Sequence, residues 1–336
     1  MQRNRAGWRQ SKWCCVAALN VKREKTMECR TINCVAVTGA TSSVGTFFVE
    51  ECIRRDIKVV AIFRFSSANA ARVPDHPLVM KIDCELAGLK KLEIPGVHCD
   101  AMLHLAWGST KSTERNNLTP QVQNIQYALD AVELAQRLGC HTFMGAGSQA
   151  EYGQHIGDLI EDTRENPSTA YGMAKLCAGQ MTRMSCRNKG IRHIWPRILS
   201  TYGPYSPYQT VLYYEIRELL AGREPQLSGG DQVWDFVYLR DTAQALLALL
   251  EKGHDGEIYL IGSGKTRKLK DFLMEVRDAI NPTLSLGLGK VPYGPGTVMH
   301  LGGNIAKIKK DTGWRPATPF EEGIRETIEW VRKETK

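Results

Sequence analysis

The stretch from residue 32 to Gly45 constrains the fold most. Residues 32–38 (INCVAVT) form a short apolar, β-branched run, which suits a strand buried on both faces. The run passes into Thr38-Gly39-Ala40-Thr41-Ser42-Ser43-Val44-Gly45 and then into a helical pattern over residues 44–55. Strand, small-residue turn and helix in that order begin a βαβ unit. Small residues let the backbone approach a pyrophosphate, and the helix start offers unpaired N–H groups and a positive dipole end. Gly39, Thr41, Ser42, Ser43, Val44 and Gly45 are therefore the candidate dinucleotide cradle. The alternative is a structural turn without a ligand, and the place after a first strand favours the cradle. Ser42 stands where such turns usually carry their middle glycine, so the approach there is more crowded.

The strand–helix rhythm continues. Residues 58–63, 78–82, 101–105, 141–145 and 191–198 read as strands. Thr119-Pro120 opens a helix, with Thr as cap and Pro at the first position. Val122, Ile125, Leu129, Val132 and Leu138 keep helical spacing, and Gly139 ends it. A further helix is expected over residues 170–188. This alternation predicts an α/β fold, a Rossmann-type doubly wound parallel sheet. After Thr201 the rhythm weakens and prolines accumulate. Helices at about 209–221, 241–252, 269–280 and 320–334 are separated by Gly- and Pro-rich loops, as in a smaller, interleaved C-terminal substrate domain. The expected division is residues 31–200 with about 232–262 for the dinucleotide domain, and 201–231 with 263–336 for the substrate domain.

Composition narrows the function classes. Of 336 residues, 43% are hydrophobic and 24% charged, an ordinary soluble balance. No apolar run approaches the ~18–20 residues that span a bilayer. The net charge of +8 is concentrated: residues 1–26 carry +6 and the remaining 310 only +2. The body is nearly neutral, so neither a nucleic acid nor a membrane is expected as partner. Residues 1–30 read as a disordered extension, with Met27 as a candidate natural start. The ten cysteines are scattered without a C-x-x-C pair, which predicts free thiols and a reducing cytoplasm. The eight histidines show no metal-ligand spacing, and His104 reads as a packed strand residue. Glu161-Asp162 and Glu321-Glu322 suit helix starts, where acids complement the dipole. Lys307, Lys309 and Lys310 read as a surface face.

The adenosine end of the cleft is expected at the second strand. NAD-binding units place an acid about 20 residues beyond the turn, on the ribose hydroxyls. Here the strand ends Phe63-Arg64-Phe65-Ser66, without an acid. Arg64 and Ser66 suit a 2′-phosphate, which favours NADP over NAD; the alternative is a solvated Arg64. Asp83 is a candidate acceptor for the adenine amino group.

Tyr171 and Lys175 lie four residues apart, on one face of a helix. A nearby ammonium lowers the pKa of a phenol. Such a Tyr can exchange a proton with a carbinol while a nicotinamide exchanges the hydride. Ser148 follows the fifth strand, 23 residues earlier, where its hydroxyl can bond the same oxygen.

These residues resemble the extended short-chain dehydrogenase/reductases, the NAD(P)-dependent nucleotide-sugar epimerase/dehydratase group, over about residues 32–333. The matching segments are Thr38-Gly39-Ala40 with Gly45, His104-Leu105-Ala106, Asn124, the trio Ser148, Tyr171 and Lys175, Arg197 to Pro204, Asp235 to Asp241, and Gly313-Trp314-Arg315-Pro316. The resemblance implies catalytic roles for Ser148, Tyr171 and Lys175, and cofactor contacts from Leu105, Ala106, Trp107, Asn124, Tyr171, Lys175 and Ile198. It implies a nucleotide-sugar substrate and a homodimer joined through the helices at 119–138 and 170–188. The 4,6-dehydratases of the group carry an acidic pair, or a Ser-Glu variant, directly after the catalytic hydroxyl residue, whereas this chain has Gln149 and Ala150, which argues against elimination of water. The usual Asn is Ser200, and the Arg that often binds the substrate diphosphate is Trp234. The clamp must then come from elsewhere, with Arg240 or Arg267 as candidates, or the substrate is not a typical sugar nucleotide. Substrate contacts are expected from Ser148, Gln149, Ser200, Trp234 and Arg240. The expected function is epimerisation or 4-ketoreduction at C4 with Tyr171 as acid/base. The rival is a non-catalytic dinucleotide-binding sensor or RNA-associated module.

Overall fold

The computed structural model describes residues 30–294 and 296–334. Apart from Arg30, the expected N-terminal extension and the basic cluster at 1–26 lie outside the described residues.

Seven parallel strands form the central sheet: β1 (Cys34–Thr38), β2 (Lys58–Phe63), β3 (Val79–Asp83), β4 (Ala101–His104), β5 (Thr142–Gly145), β6 (Arg192–Ile198) and β7 (Glu257–Ile261). Their order is β3-β2-β1-β4-β5-β6-β7. A short strand, Gly147–Ser148, prolongs β5 along β6. Helices α1 (Ser43–Arg54), α2 (Leu118–Arg137), α3 (Ala170–Lys189), α4 (Val211–Leu220), α5 (Leu239–Lys252), α6 (Leu269–Ile280), α7 (Ala306–Thr312) and α8 (Phe320–Glu334) complete the fold.

Alternation along the strands explains the layers. Val35, Val37, Val59, Ala61 and Leu103 join the core beneath α1 and α5. Ala36, Val60, Ile62 and Met102 point the other way, into the core beneath α2. Both faces are covered, as all-parallel sheets require. The strand order reverses between β1 and β4. Ligands of open α/β sheets bind in the crevice at such a switch point.

Several expectations shift in detail. The helix expected to open at Thr119-Pro120 starts at Leu118, with Asn117 as its cap. Its Val122 faces outward and is exposed. Glu161-Asp162 lies in a turn rather than at a helix start. There a Glu161 oxygen accepts the Leu260 N–H at 3.2 Å, so it ties a loop to β7. Glu321 and Glu322 do occupy the first turn of α8. The lysine-rich face at 307–310 belongs to α7, a helix with only Ile308 and Thr312 buried. Among the described residues, no helix is long and apolar enough to cross a membrane.

Candidate active site

The site gathers at the C-terminal ends of the strands. Gly39 closes β1 with φ of +75°, a conformation that L side chains rarely adopt. A Cβ there would stand 2.7 Å from the Ala106 nitrogen, so the chains leaving β1 and β4 touch only because this residue is glycine. Ser42 caps α1: its hydroxyl accepts the Gly45 N–H at 3.0 Å and donates to the Gly39 carbonyl at 2.8 Å. The hydroxyl that crowds the turn is thereby folded back into it. Thr38 and His104 face each other across β1 and β4 and share a 2.8 Å hydrogen bond. Burial pushes the His104 pKa down to about 3, so it is the packed neutral residue expected.

A cleft of about 710 Å³ opens beside this turn. Gly39, Thr41, Ser42, Arg64, Leu105, Ala106 and Trp107 line it, together with Ser67, Asn69 and Glu85. Ser43, Val44 and Gly45 begin α1 behind it. Arg64 is exposed, and so is Ser66 beside it. Asp83 is partly committed, accepting the Phe65 N–H at 2.8 Å. Asn124 acts one step back. Its amide accepts from the Gly108 N–H at 2.9 Å and donates to the Gly108 carbonyl at 3.0 Å, fixing the loop that carries Trp107. The close backbone approach and the helix N-terminus fit a dinucleotide pyrophosphate.

The structure brings the catalytic candidates together. Thr169 caps α3 by accepting the Gly172 N–H at 3.1 Å, which sets Tyr171 in the first turn. The Ser148 side chain is close enough to the Tyr171 phenol to act on its pKa, in the lowering direction. Lys175 follows on the same helix face and donates from Nζ to the Ala146 carbonyl at 2.7 Å. The indole of Trp107 lies over that ammonium at 3.8 Å and edge-on to Tyr171 at 6.2 Å. Arg115 stacks over the Tyr171 ring at 5.0 Å. Burial raises the Tyr171 pKa, against the lowering by the Ser148 side chain and the Arg115 charge. The expected lowering of the phenol by Lys175 is thus not seen in this state. Lys175 is itself 4% exposed, and its pKa is pushed down by burial to about 7, which weakens it as a standing positive charge.

The cations expected on the substrate side have partners within the chain. Arg240 donates to Glu326 of α8 at 2.8 Å and lies over the Tyr238 ring. Arg267 stacks on Phe272 at 4.0 Å, pairs with Glu275 at 2.8 Å, and faces a separate cavity of about 430 Å³ floored by Phe236, Phe272 and Phe320. Trp234 donates from Nε1 to the Ser200 hydroxyl at 2.8 Å. The two residues that replace the usual clamp therefore bond to each other. Ile198 ends β6 just before Ser200, and Gln149 is partly exposed beside Ser148.

Sequence reasoning missed Glu151. It is the buried acid nearest to Ser148 in the chain, and its oxygens accept from the Ser148 backbone, Trp195 and Arg197. The legible signal was Ser148-Gln149-Ala150-Glu151, a capping-box spacing, and the structure forms that box.

The family model "NAD dependent epimerase/dehydratase family" matches residues 35–262, more than half of the chain. The chain belongs to that family. It is 30% identical over 185 residues to the dTDP-glucose 4,6-dehydratase of Salmonella typhimurium, a match covering 53% of this chain and 51% of that one. The chain thus spans about half the length of that relative. The dTDP-glucose 4,6-dehydratase of Mycobacterium tuberculosis is 25% identical over 313 residues, covering 88% of this chain and 92% of the other. Among solved structures, UDP-N-acetylglucosamine 4-epimerase from Methanobrevibacter ruminantium M1 superimposes with a TM-score of 0.81 at 22% identity, covering 91% of this chain and all of the other. UDP-glucuronic acid 4-epimerase from Bacillus cereus, crystallised with NAD, gives 0.79 at 19% identity over 90% of this chain and all of the other. These structural likenesses carry the doubly wound fold expected from the strand–helix alternation.

Proposed function

We propose that this family member is an NAD(P)-dependent epimerase or 4-ketoreductase that works at C4 of a nucleotide-activated sugar. The observation that carries the reading is the Trp107 indole, a wall of the cleft, packed against both Tyr171 and Lys175 on one face of α3, with Lys175 held on the Ala146 carbonyl two residues before Ser148. The bound dinucleotide would supply hydride exchange. Tyr171 then holds or gives the proton of the C4 oxygen, and Ser148 orients that oxygen. Lys175 retains two ammonium protons beyond its bond to Ala146, enough for a ribose hydroxyl. Trp107 covers Lys175 and limits water there.

Dehydration is disfavoured although the curated relatives are named dehydratases. Elimination needs an acid and a base beside the hydroxyl residue. Gln149 and Ala150 supply neither, and Glu151 is buried with both oxygens engaged. Incubation with a panel of UDP-, dTDP-, CDP- and GDP-sugars, with and without added cofactor, tests the reading. Epimer or reduced product without a 4-keto-6-deoxy product is expected. A 4-keto-6-deoxy product alone would overturn it. The sensor alternative lacks support, since it gives the converging Ser148, Tyr171 and Lys175 no task.

NAD suits the family, and the solved neighbour holds it. Arg64, exposed at the cleft wall, supports acceptance of NADP as well. Arg64→Ala is expected to weaken NADPH binding about tenfold, the loss of one charge-assisted contact, and to leave NADH binding unchanged in a fluorescence titration. Equal losses for both would remove Arg64 from the phosphate site.

The substrate side is assigned to residues 201–231 and 263–336. A homodimer is the proposed assembly. Helices α2 and α3 pack side by side, and their outer faces expose Leu118, Val122, Met173, Met181 and Met184. Light scattering should give twice the chain mass. The free thiols among the described cysteines suit a reducing cytoplasm.

A further inference from the structure

Glu151 ends the short helical turn Gln149–Glu151 that follows Ser148. One carboxylate oxygen accepts the Ser148 N–H at 2.8 Å and the Trp195 indole N–H at 3.1 Å. The other accepts Arg197 Nε at 2.7 Å. Arg197 goes on to Glu165 at 2.9 Å and lies over the Tyr152 ring at 4.3 Å. Glu151 is 0% exposed and Arg197 is 1% exposed. A Cβ on Gly147 would stand 2.7 Å from Glu151 Oε1, so the turn and the carboxylate are in direct contact. The backbone from Gly147 to Glu151 is therefore clamped by a buried ion pair, and that backbone carries the Ser148 hydroxyl.

A cap alone does not require this. A Glu closing a Ser-x-x-Glu turn works at a surface. Burying a charge pair is seldom a gain in stability over apolar residues of similar volume. Its placement offers another role. Lys175 bonds the Ala146 carbonyl, at the residue preceding the clamped turn. Burial disfavours the Lys175 ammonium, and the Glu151 carboxylate favours it.

We propose that Glu151 is a positioning residue for the active site: it fixes the Ser148 turn through the backbone and seats a buried negative charge in the turn that follows the Ala146 carbonyl holding Lys175. The inference rests on the reading of Ser148, Tyr171 and Lys175 as the reacting set. The other groups facing Lys175 oppose Glu151 or are neutral. His104 on β4 is uncharged near pH 7. Tyr171 lies one turn earlier on α3, with Arg115 over its ring. Arg197 on β6 stands behind Glu151. With the carboxylate removed, desolvation acts unopposed, and the ammonium gives up its proton at lower pH.

The test is the titration of Lys175 in the full chain, with no substrate present. The probe is the 13Cε resonance of lysine-labelled protein, assigned by its loss in Lys175→Arg. In the wild type the midpoint is expected at about 7. Glu151→Gln keeps an acceptor for the Ser148 N–H but loses the charge, and its midpoint is expected to fall. Glu165→Gln removes the outer partner of Arg197 and is expected to leave the midpoint in place. Should Glu151→Gln fail to fold, Glu151→Leu with Arg197→Met replaces the whole pair by apolar side chains, and its midpoint should fall too. An unmoved midpoint in a folded variant of either kind overturns the proposal, as does a fall with Glu165→Gln equal to that with Glu151→Gln. A Tyr171→Phe protein that still turned over substrate would sink the underlying reading instead, and it would leave this titration as it stands.

Discussion

Tyr171→Phe is expected to lower turnover by roughly 10²–10⁴-fold, the range that a positioned acid/base supplies. That corresponds to about 3–5 kcal/mol of transition-state stabilisation. The ring should stay where it is. Its edge contact with Trp107 and the guanidinium of Arg115 over its face use carbon atoms, which Phe keeps. Only the hydroxyl, which Ser148 neighbours, is lost. Dinucleotide affinity should therefore match the wild type, because the phosphate turn and the cleft wall are untouched. The check is single-turnover kinetics on whichever nucleotide sugar the panel identifies, alongside a cofactor titration. Turnover within a factor of a few of the wild type would remove Tyr171 from the chemistry. Loss of cofactor binding as well would mean that the ring, rather than the proton, matters.

Which features were legible follows from how local their causes are. The strand at Lys58–Phe63 and the helices at Leu269–Ile280 and Phe320–Glu334 stand where their apolar spacing puts them, since each pattern is contained in the element itself. The Tyr171–Lys175 pair was visible for the same reason: four residues on a helix make one face. Helix α7 escaped because seven residues hold little periodicity and three of them are lysines. The fates of Arg240 and Arg267 were hidden by distance in the chain and by conformation. Arg240 is taken up by Glu326, 86 residues away, and Arg267 turns onto rings brought by α6 and α8. Glu151 was hidden in the same way. Its spacing from Ser148 reads as a local cap, while its burial is decided by Trp195 and Arg197, more than forty residues on. Local pattern thus reveals elements and motifs. It does not reveal whether a charged side chain is a free hand or one side of a buried pair.

The same packing makes Trp195 the side chain whose loss should cost most in stability. Its indole is 3% exposed and stacks on His193 at 5.8 Å. It fills space left by three glycines: a Cβ on Gly145 would meet the ring, one on Gly147 would stand 2.5 Å from the indole nitrogen, and one on Gly179 2.8 Å from the ring. β5 with its prolongation and α3 close on one ring, so neither side can collapse into the void without dragging β5 or α3. Trp→Ala substitutions in such settings cost about 3–5 kcal/mol. Trp195→Ala is expected in that range, read from the midpoint of urea unfolding with the slope unchanged. The loss should reach the active site as well, because the Trp195 N–H is one of the donors that hold Glu151. Trp195→Phe separates the two effects. It restores most of the volume but not the N–H, so stability should recover further than turnover does. Full recovery of both would show that the indole N–H adds nothing to the Ser148 turn, and that Arg197 and the Ser148 N–H suffice to hold the carboxylate.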